Sequence, residues 1–292
     1  MERIKLITDS ASDLTLEQER ENDITVLNYS ILLDEKAYES RVDLSSAEFY
    51  SLLESSPSLP STSQITVFRF MELLESVWEQ GYTDVIMTLI NRNASATFGN
   101  AEVARERFYE AHPECKDSFR IRLVDSRTYT AGYGYAVVAA AELVKDGRSA
   151  DEVEEFIQEW IAHVVIYFAP YTLKYAKKSG RIPGAVAVVG EALGIKPIMR
   201  ICDHKIENDE MVRGEKKLVS KILEKTLAEI EEGTPYIILN GNNPADGDAM
   251  AKAMTEAVGY APAMRTEIGS IISSHAGPKV VGVVFWSKNA NY

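Results

Sequence analysis

Three hydroxyl residues stand in succession at Ser61-Thr62-Ser63, after a proline-containing loop and ahead of an apolar stretch with helical spacing. A helix start exposes unpaired backbone N–H groups and carries a partial positive charge. A hydroxyl side chain at such a start can cap the helix, or it can bind an anionic group together with the backbone amides. The segment therefore predicts a helix cap or an anion site, and its own residues leave both interpretations open.

Two further polar clusters carry side chains that could do chemistry. Ser95 and Thr97 follow the strongly apolar run at residues 85–90, and a helical pattern begins shortly after them. His275 lies in a short polar loop, which we expect between an apolar strand at residues 268–272 and the next strand. A histidine in such a loop can serve as a structural hydrogen-bonding group or as a proton carrier.

A hydrolase is one chemistry that these residues allow. Ser95, His275 and one of Asp9 or Asp125 could form a nucleophilic triad. However, no G-x-S-x-G motif surrounds Ser95, and the chain has neither a G-x-x-x-x-G-K-[ST] nor a G-x-G-x-x-G loop for nucleotides. No H-E-x-x-H motif indicates a metal. The residues themselves indicate capture of an anion by neutral donors and identify no reaction, so we expect neither a cofactor nor a metal.

The elements that must position these clusters form a repeated strand–helix pattern. Short apolar strands at residues 4–8, 85–90 and 121–126 each end in polar residues and are each followed by a helical pattern. This alternation predicts a parallel sheet with helices on both faces, and the polar residues then share its carboxyl edge. A further strand region is expected at residues 24–33.

The pattern changes near residue 162. Beyond it, residues 195–201 and 205–208 predict a hairpin with a tight turn at Asp203-His204, and later strands alternate less regularly with helices. We therefore predict an α/β protein of two domains: an N-terminal α/β/α parallel-sheet domain at residues 1–162, and a C-terminal α+β domain with a mixed sheet at residues 163–292.

The composition and net charge of the chain disfavour several classes of binding partner. The 292-residue chain has 46% hydrophobic residues and a net charge of −13, which disfavours nucleic acid and anionic membrane surfaces as partners. Its two cysteines are far apart, which fits reduced thiols. No run is long and apolar enough to cross a bilayer, and no signal peptide is evident, so we expect a cytoplasmic protein without stable membrane insertion.

The chain resembles the DegV family. The resemblance rests on motifs that occur in family order: Asp9-Ser10-x-Ser12-Asp13-Leu14, Pro60-x-Thr62-Ser63-Gln64, Ser95-x-Thr97-Phe98, Val124-Asp125-Ser126, Leu173-x-Tyr175-x-Lys177-Lys178-x-Gly180-Arg181-Ile182, Ile195-Lys196-Pro197-Ile198, Arg213-Gly214-x-Lys216-Lys217 and His275-x-Gly277-Pro278. It implies one long-chain fatty acid held between two domains. It also implies a separate ATP-dependent fatty acid kinase as partner, to which the fatty acid is presented for acyl phosphate formation, so that the chain alone is no enzyme.

The resemblance also implies roles for residues. Thr62, Ser95 and His275 occupy the positions that bind the fatty acid carboxylate. Ser63, Thr97 and Gly277 would support the head group. Arg181 and Arg213 match basic positions for contact with the kinase or the transferred phosphate.

Several positions depart from the family pattern. Arg92 stands where a serine is usual and, if directed inward, would place a cation near the carboxylate and change the anion that is bound. Ala96 replaces a glycine, Ile65 a proline and Lys279 a glycine. Two alternatives to fatty acid binding are a Ser/His hydrolase acting on a lipid or acyl ester, and a binding protein for another anionic metabolite.

Overall fold

The computed structural model describes residues 2–181 and 194–290. The strands are β1 (Ile4–Asp9), β2 (Ile24–Leu27), β3 (Ser30–Leu33), β4 (Lys36–Glu39), β5 (Ser61–Ser63), β6 (Asp84–Leu89), β7 (Arg120–Asp125), β8 (Val164–Pro170), β9 (Ile195–Cys202), β10 (Lys205–Arg213), β11 (Tyr236–Asn240), β12 (Met264–Glu267) and β13 (Val280–Trp286). The helices are α1 (Leu16–Glu21), α2 (Ser46–Ser55), α3 (Val67–Glu79), α4 (Thr97–Ala111), α5 (Ala131–Lys145), α6 (Ala150–His163), α7 (Lys174–Ser179), α8 (Leu218–Glu229), α9 (Pro244–Val258) and α10 (Ser270–Ala276).

The first sheet has four parallel strands in the order β2-β1-β6-β7. Every residue of β1 and β6 is buried, as expected for parallel strands that are covered on both faces. Leu6 packs in the core cluster of α5 and α6, whereas its neighbour Ile7 packs in the cluster of α3 and α4. The predicted parallel sheet with helices on both faces is confirmed.

The second sheet is mixed, with six strands in the order β10-β9-β8-β13-β11-β12. Strand β8 pairs antiparallel with β9 and β13, whereas β11 and β12 are parallel. Three further strands form a small antiparallel sheet in the order β4-β3-β5. In the sequence they lie between β2 and β6 of the first sheet. The predicted fold class is therefore confirmed. Its boundary at residues 162/163, where α6 passes into β8, stays a prediction.

Helices α5 and α6 form a layer between the two sheets. Val137 of α5 and Ile157 of α6 share one core cluster with Ile86 of the first sheet and Ile166 of the second. On the far side of the second sheet, α8 and α9 cover the alternate residues of the same strands. The inner face of the second sheet therefore faces α5, α6 and the carboxyl ends of the first sheet's strands.

The predicted hairpin of β9 and β10 is confirmed, and its turn docks on the first half of the chain. The backbone N–H of His204 donates to the carbonyl of Arg127 at 2.8 Å, and the carbonyl of His204 accepts from Asn91 Nδ2 at 2.9 Å. Both turn residues, Asp203 and His204, have positive φ. These contacts hold the hairpin against the loops that follow β6 and β7.

The helix cap predicted at Ser61-Thr62-Ser63 is wrong. These residues form the edge strand β5, in which Thr62 pairs with Ile31 of β3. The cap of α3 is Thr66, whose hydroxyl accepts from the backbone N–H of Arg69 at 3.3 Å. The hydroxyl run stops short of the helix, so its side chains are available for other contacts.

Two other local predictions need correction. The strand expected at residues 268–272 is wrong, because Ser270–Ala276 form the helix α10, which begins after Gly269. The region at 24–33 splits into β2 and β3, which belong to different sheets. Of the turn predicted at residues 180–184, Gly180 has the left-handed conformation (φ 65°), and residues 182–184 lie outside the described residues.

Candidate functional site

An elongated cavity lies on the inner face of the second sheet. Its volume is about 960 Å³, counting the open mouth. Most of its wall is apolar, with Ile166, Phe168, Ile201 and Leu239 from the sheet and Ile271 from α10. Such a wall suits a hydrocarbon and offers little to a sugar or a nucleotide.

The floor of the cavity crosses the strands of the sheet. Leu239 on β11 and Ile206 on β10 both line it, and their strands are four positions apart in the sheet. With about 4.8 Å between neighbouring strands, the floor runs for about 19 Å. The cavity therefore extends far enough across the sheet to hold an extended ligand.

Thr62 and His275 meet at one polar part of the cavity wall. Thr62 Oγ1 lies 3.2 Å from His275 Nε2. Successive strand residues point to opposite sides, so half-buried Thr62 faces inward while Ser61 and Ser63 on either side are exposed. The resulting pair can present a hydroxyl and an imidazole to one ligand atom.

The end of α10 fixes the position of His275. Gly277 terminates this helix at φ 87°, a left-handed conformation that favours glycine. A Cβ at this position would lie 2.9 Å from Tyr175 Cδ2, so the close packing also requires glycine. Gly277 supports the site by ending α10 there, and it does not itself line the cavity.

Ser95 lies in a chain of hydroxyl groups that also lines the cavity. Its Oγ accepts from Tyr29 Oη at 3.3 Å and from the backbone N–H of Thr97 at 3.2 Å, and it donates to Thr97 Oγ1 at 3.0 Å. Buried Thr97 in turn accepts from the backbone N–H of Ile65 at 3.1 Å. Thr97 therefore anchors the loop before α4 through its hydrogen bonds, and Ser95 is the hydroxyl residue of this loop that lines the cavity.

His275 is neutral at physiological pH. Burial, assisted by the nearby guanidinium of Arg181, lowers the pKa of this histidine to about 4. Its Nδ1 is buried and makes no hydrogen bond within the described residues. Arg181 also lines the cavity and contributes the guanidinium near His275. Among the described residues, this polar part of the wall thus consists of neutral groups with the guanidinium of Arg181 beside them.

The predicted candidates Ser95, His275, Asp9 and Asp125 do not form a nucleophilic triad. The carboxylate of Asp9 accepts from the backbone N–H groups of Ala11 and Ile90 and from Tyr133 Oη, so it ties β1 to β6 and α5. Asp125 accepts from the backbone N–H groups that follow β6 and β7. Among the described residues, no carboxylate hydrogen-bonds His275, and its lowered pKa makes it a weak base.

Three predicted site residues lie elsewhere. Ser63 is exposed on the outer side of β5, and Arg213 is exposed at the end of β10. Arg92 does not point inward, which corrects the expectation that it alters the bound anion. Its guanidinium pairs with Glu102 at 3.1 Å and lies over the ring of Phe98.

Sequence inspection missed two tyrosines in the cavity wall. Tyr29, which donates to Ser95, lies two residues after the end of β2, and this position at the carboxyl edge of the parallel sheet was the available signal. Tyr129 accepts from Asn91 Nδ2 at 3.1 Å and had no comparable signal.

The described residues hold no group of three or more metal-ligating side chains, and none of their helices is long and apolar enough to span a membrane. Fold and site together define an α/β protein of two main sheets with a mostly apolar ligand cavity whose wall also carries hydroxyls and an imidazole. A family model described as "Uncharacterised protein, DegV family" matches residues 3–288. The chain belongs to the DegV family.

Relatives cover nearly the whole chain. A DegV domain-containing protein of Clostridium perfringens is 30% identical over 291 residues, 98% of each chain. A solved DegV family structure from Thermus thermophilus, described for its fatty acid binding, is 26% identical with a TM-score of 0.85 and covers 98% of this chain and 99% of its own. A fatty-acid-binding DegV family protein of Streptococcus agalactiae is 25% identical, also with a TM-score of 0.85, and covers 99% and 100%.

The lowered pKa of His275 predicts a loss of stability in acid. The unfolded imidazole takes up a proton near its ordinary pKa of 6.5, whereas the folded one does so only near 4, so acidification through this window favours the unfolded chain. The free energy of unfolding from urea titrations should therefore fall less between pH 6.5 and 4 in His275→Asn than in the wild type.

Comparing His275→Asn with the wild type separates the effect of His275 on stability from that of two buried aspartates, which act in the opposite direction. Burial raises the pKa of Asp9 to about 6 and of Asp13 to about 7, so their uptake of protons in the folded state stabilises it as the pH falls. Both are present in each protein, and their effect cancels in the difference. Parallel pH profiles for wild type and His275→Asn would show that His275 titrates normally.

Proposed function

We infer that this protein binds one long-chain fatty acid in the cavity, with the carboxylate at Thr62, Ser95 and His275 and the chain along the apolar floor. The observation that carries this proposal is a floor of about 19 Å lined by aliphatic side chains, in a cavity whose wall also holds the paired Thr62 and His275 and the hydroxyl residue Ser95. The ligand would lie between the N-terminal and C-terminal domains.

The energetics favour an acyl chain. Each methylene removed from water contributes about 0.8 kcal/mol, so a chain that covers the floor gains most of its affinity from its hydrocarbon. A sugar phosphate or a nucleotide would leave polar groups facing Ile166, Phe168 and Leu239 without partners. The fatty acid binding described for the relatives from Thermus thermophilus and Streptococcus agalactiae supports the same conclusion.

The head-group donors suit a carboxylate that must remain reactive. The hydroxyls of Thr62 and Ser95 can each donate a hydrogen bond to a carboxylate oxygen after rotation about Cβ–Oγ. Neutral donors of this kind stabilise the anion less than a bidentate guanidinium does, so the oxygens keep nucleophilic character. Arg181 lies beside the site and makes the potential favourable for an anion.

This chemistry supports a role in presenting the fatty acid to a separate ATP-dependent kinase, which would form the acyl phosphate in the cytoplasm. Arg181 at the cavity and exposed Arg213 at the end of β10 are then candidate contacts for the kinase or for the transferred phosphate. The chain itself would need neither a nucleotide site nor a metal. The hydrolase alternative has less support, because no carboxylate of the described residues pairs with His275 and its pKa is lowered.

Thr62→Ala should weaken binding of a long-chain fatty acid about tenfold or more, since a hydrogen bond to a charged group contributes roughly 1.5–3 kcal/mol. Calorimetric titration of the delipidated protein measures this change. Ser63→Ala is the matched control, because Ser63 neighbours Thr62 but is exposed on the other side of β5. Equal affinities for the two variants would remove Thr62 from the carboxylate site.

The kinase proposal predicts acyl phosphate only when the fatty acid is carried by this protein. Fatty-acid-loaded protein is incubated with Mg-ATP and fractions of a lysate of its source organism, and acyl phosphate is trapped by hydroxylamine as the hydroxamate. We expect hydroxamate above the level with free fatty acid, and a reduced yield with Arg213→Glu. Equal yields with free and bound fatty acid would contradict presentation by this chain.

A further inference from the structure

Tyr29 places a phenol hydroxyl beside Ser95 in the wall of the ligand cavity. The tyrosine lies in the short connection between β2 and β3, and its backbone is tied on both sides. Its N–H donates to Ser10 Oγ at 3.1 Å, and its carbonyl accepts from the backbone N–H of Ser40 at 2.9 Å. These bonds fix the backbone from which the buried phenol reaches Ser95.

Tyr29 is the donor in its hydrogen bond to Ser95. Burial, assisted by the negative charge of Asp9, raises the pKa of the Tyr29 phenol well above its usual range, so the hydroxyl keeps its hydrogen at physiological pH. That hydrogen is directed at Ser95 Oγ, which lies 3.3 Å from Tyr29 Oη. One lone pair of the serine oxygen is therefore used by Tyr29.

The oxygen of Ser95 has no further capacity to accept. A serine hydroxyl has one hydrogen to donate and two lone pairs that accept. In Ser95, the second lone pair accepts from the backbone N–H of Thr97 at 3.2 Å. The hydrogen of Ser95 goes to Thr97 Oγ1 at 3.0 Å, an atom that also accepts from the backbone N–H of Ile65. Ser95 can therefore offer a ligand only its hydrogen.

A carboxylate suits a serine of this kind, and an alcohol does not. The hydrogen of Ser95 can turn from Thr97 Oγ1 to a ligand oxygen, because Thr97 keeps the N–H of Ile65 as its partner. A carboxylate only accepts hydrogen bonds, so the hydrogen of Ser95 is all that it requires there. The hydroxyl of a fatty alcohol also carries a hydrogen, for which Ser95 has no lone pair left. A buried donor without a partner weakens binding.

We propose that Tyr29 is a positioning residue that keeps Ser95 a donor only, and that this selects a carboxylate head group over the alcohol of the same chain length. The role rests on the proposed function, because it requires a ligand head group at Ser95. Tyr29 acts through Ser95, whose oxygen is polarised by the bond from the phenol and so becomes the stronger donor.

The test compares an acid with its alcohol. Radiolabelled hexadecanoic acid and hexadecanol are partitioned between the delipidated full-length protein and phosphatidylcholine vesicles at a fixed pH, a format that also suits the poorly soluble alcohol. The ratio of the two partition constants gives the preference of each variant for the acid. In Tyr29→Phe the ring stays and one lone pair of Ser95 becomes free, so the acid loses a strong donor and the alcohol gains an acceptor. The preference should fall about tenfold relative to the wild type.

A double variant separates action through Ser95 from direct contact with the ligand. Ser95→Ala should lower the preference at least as far as Tyr29→Phe does. Adding Tyr29→Phe to Ser95→Ala should then change nothing further, because the group that Tyr29 positions is already absent. Retained binding of hexadecanol in each variant shows that its cavity is intact.

Tyr109→Phe is the matched control. Its hydroxyl donates to the carbonyl of Phe119 at 3.0 Å and accepts from the backbone N–H of Ile121 at 2.9 Å, and the residue does not line the cavity. The variant therefore removes a hydrogen-bonded phenol hydroxyl away from the site, and it should keep the preference of the wild type.

An unchanged preference in Tyr29→Phe would overturn the proposal, as would a fall of the same size in Tyr109→Phe. A further fall when Tyr29→Phe is added to Ser95→Ala would also overturn it, since Tyr29 would then act without Ser95. If the wild type bound neither hexadecanoic acid nor hexadecanol, the proposed function itself would fail. That outcome is distinct from a wild type that binds the acid and a Tyr29→Phe variant that keeps the same preference.

Discussion

The inner face of the second sheet must be covered, and much of the structure follows from this constraint. Alternation along the strands places Ile166, Phe168 and Ile201 on the inner face, while Val165 and Tyr167 pack under α8 and α9 on the other. Helices α5 and α6 cover part of the inner face. The remainder lies opposite the loops at the carboxyl edge of the first sheet, and the cavity forms there with α10 in its wall.

The same constraint places polar groups at the cavity. Parallel strands of the first sheet end at one edge, so the loops after β2 and β6 bring Tyr29 and Ser95 to the cavity that this edge covers. The second half contributes His275 through α10, and the small antiparallel sheet contributes Thr62. Neither half alone holds all the donors, so docking of the β9–β10 turn against Asn91 and Arg127 is also a condition of the site.

Much of the fold could be predicted from the sequence, because the hydrophobic patterns of its strands and helices are local and extend over enough residues to be recognised. Strands rich in apolar residues and followed by helical patterns identified the parallel sheet, and the turn at Asp203-His204 identified the hairpin. Strand β5 and helix α10 were misassigned because three and seven residues are too short to display a period, and pairing with β3 decides the conformation of β5.

The direction of individual side chains was the other feature that limited prediction of the site from the sequence. Thr62, Ser95 and His275 were expected together from the family resemblance, and all three line the same cavity. The direction of Arg92 was left open by the sequence, because it depends on an ion pair with Glu102 in the first turns of α4, which the motif did not reveal. The bond between Tyr29 and Ser95 joins residues 66 positions apart and has no local signature.

The claim that this cavity holds a fatty acid is tested most directly by mass spectrometry of lipid extracted from the purified protein. The account predicts a long-chain fatty acid at about one molecule per chain, released only after denaturation. An extract without fatty acid, or a sugar phosphate recovered in that amount, would contradict it.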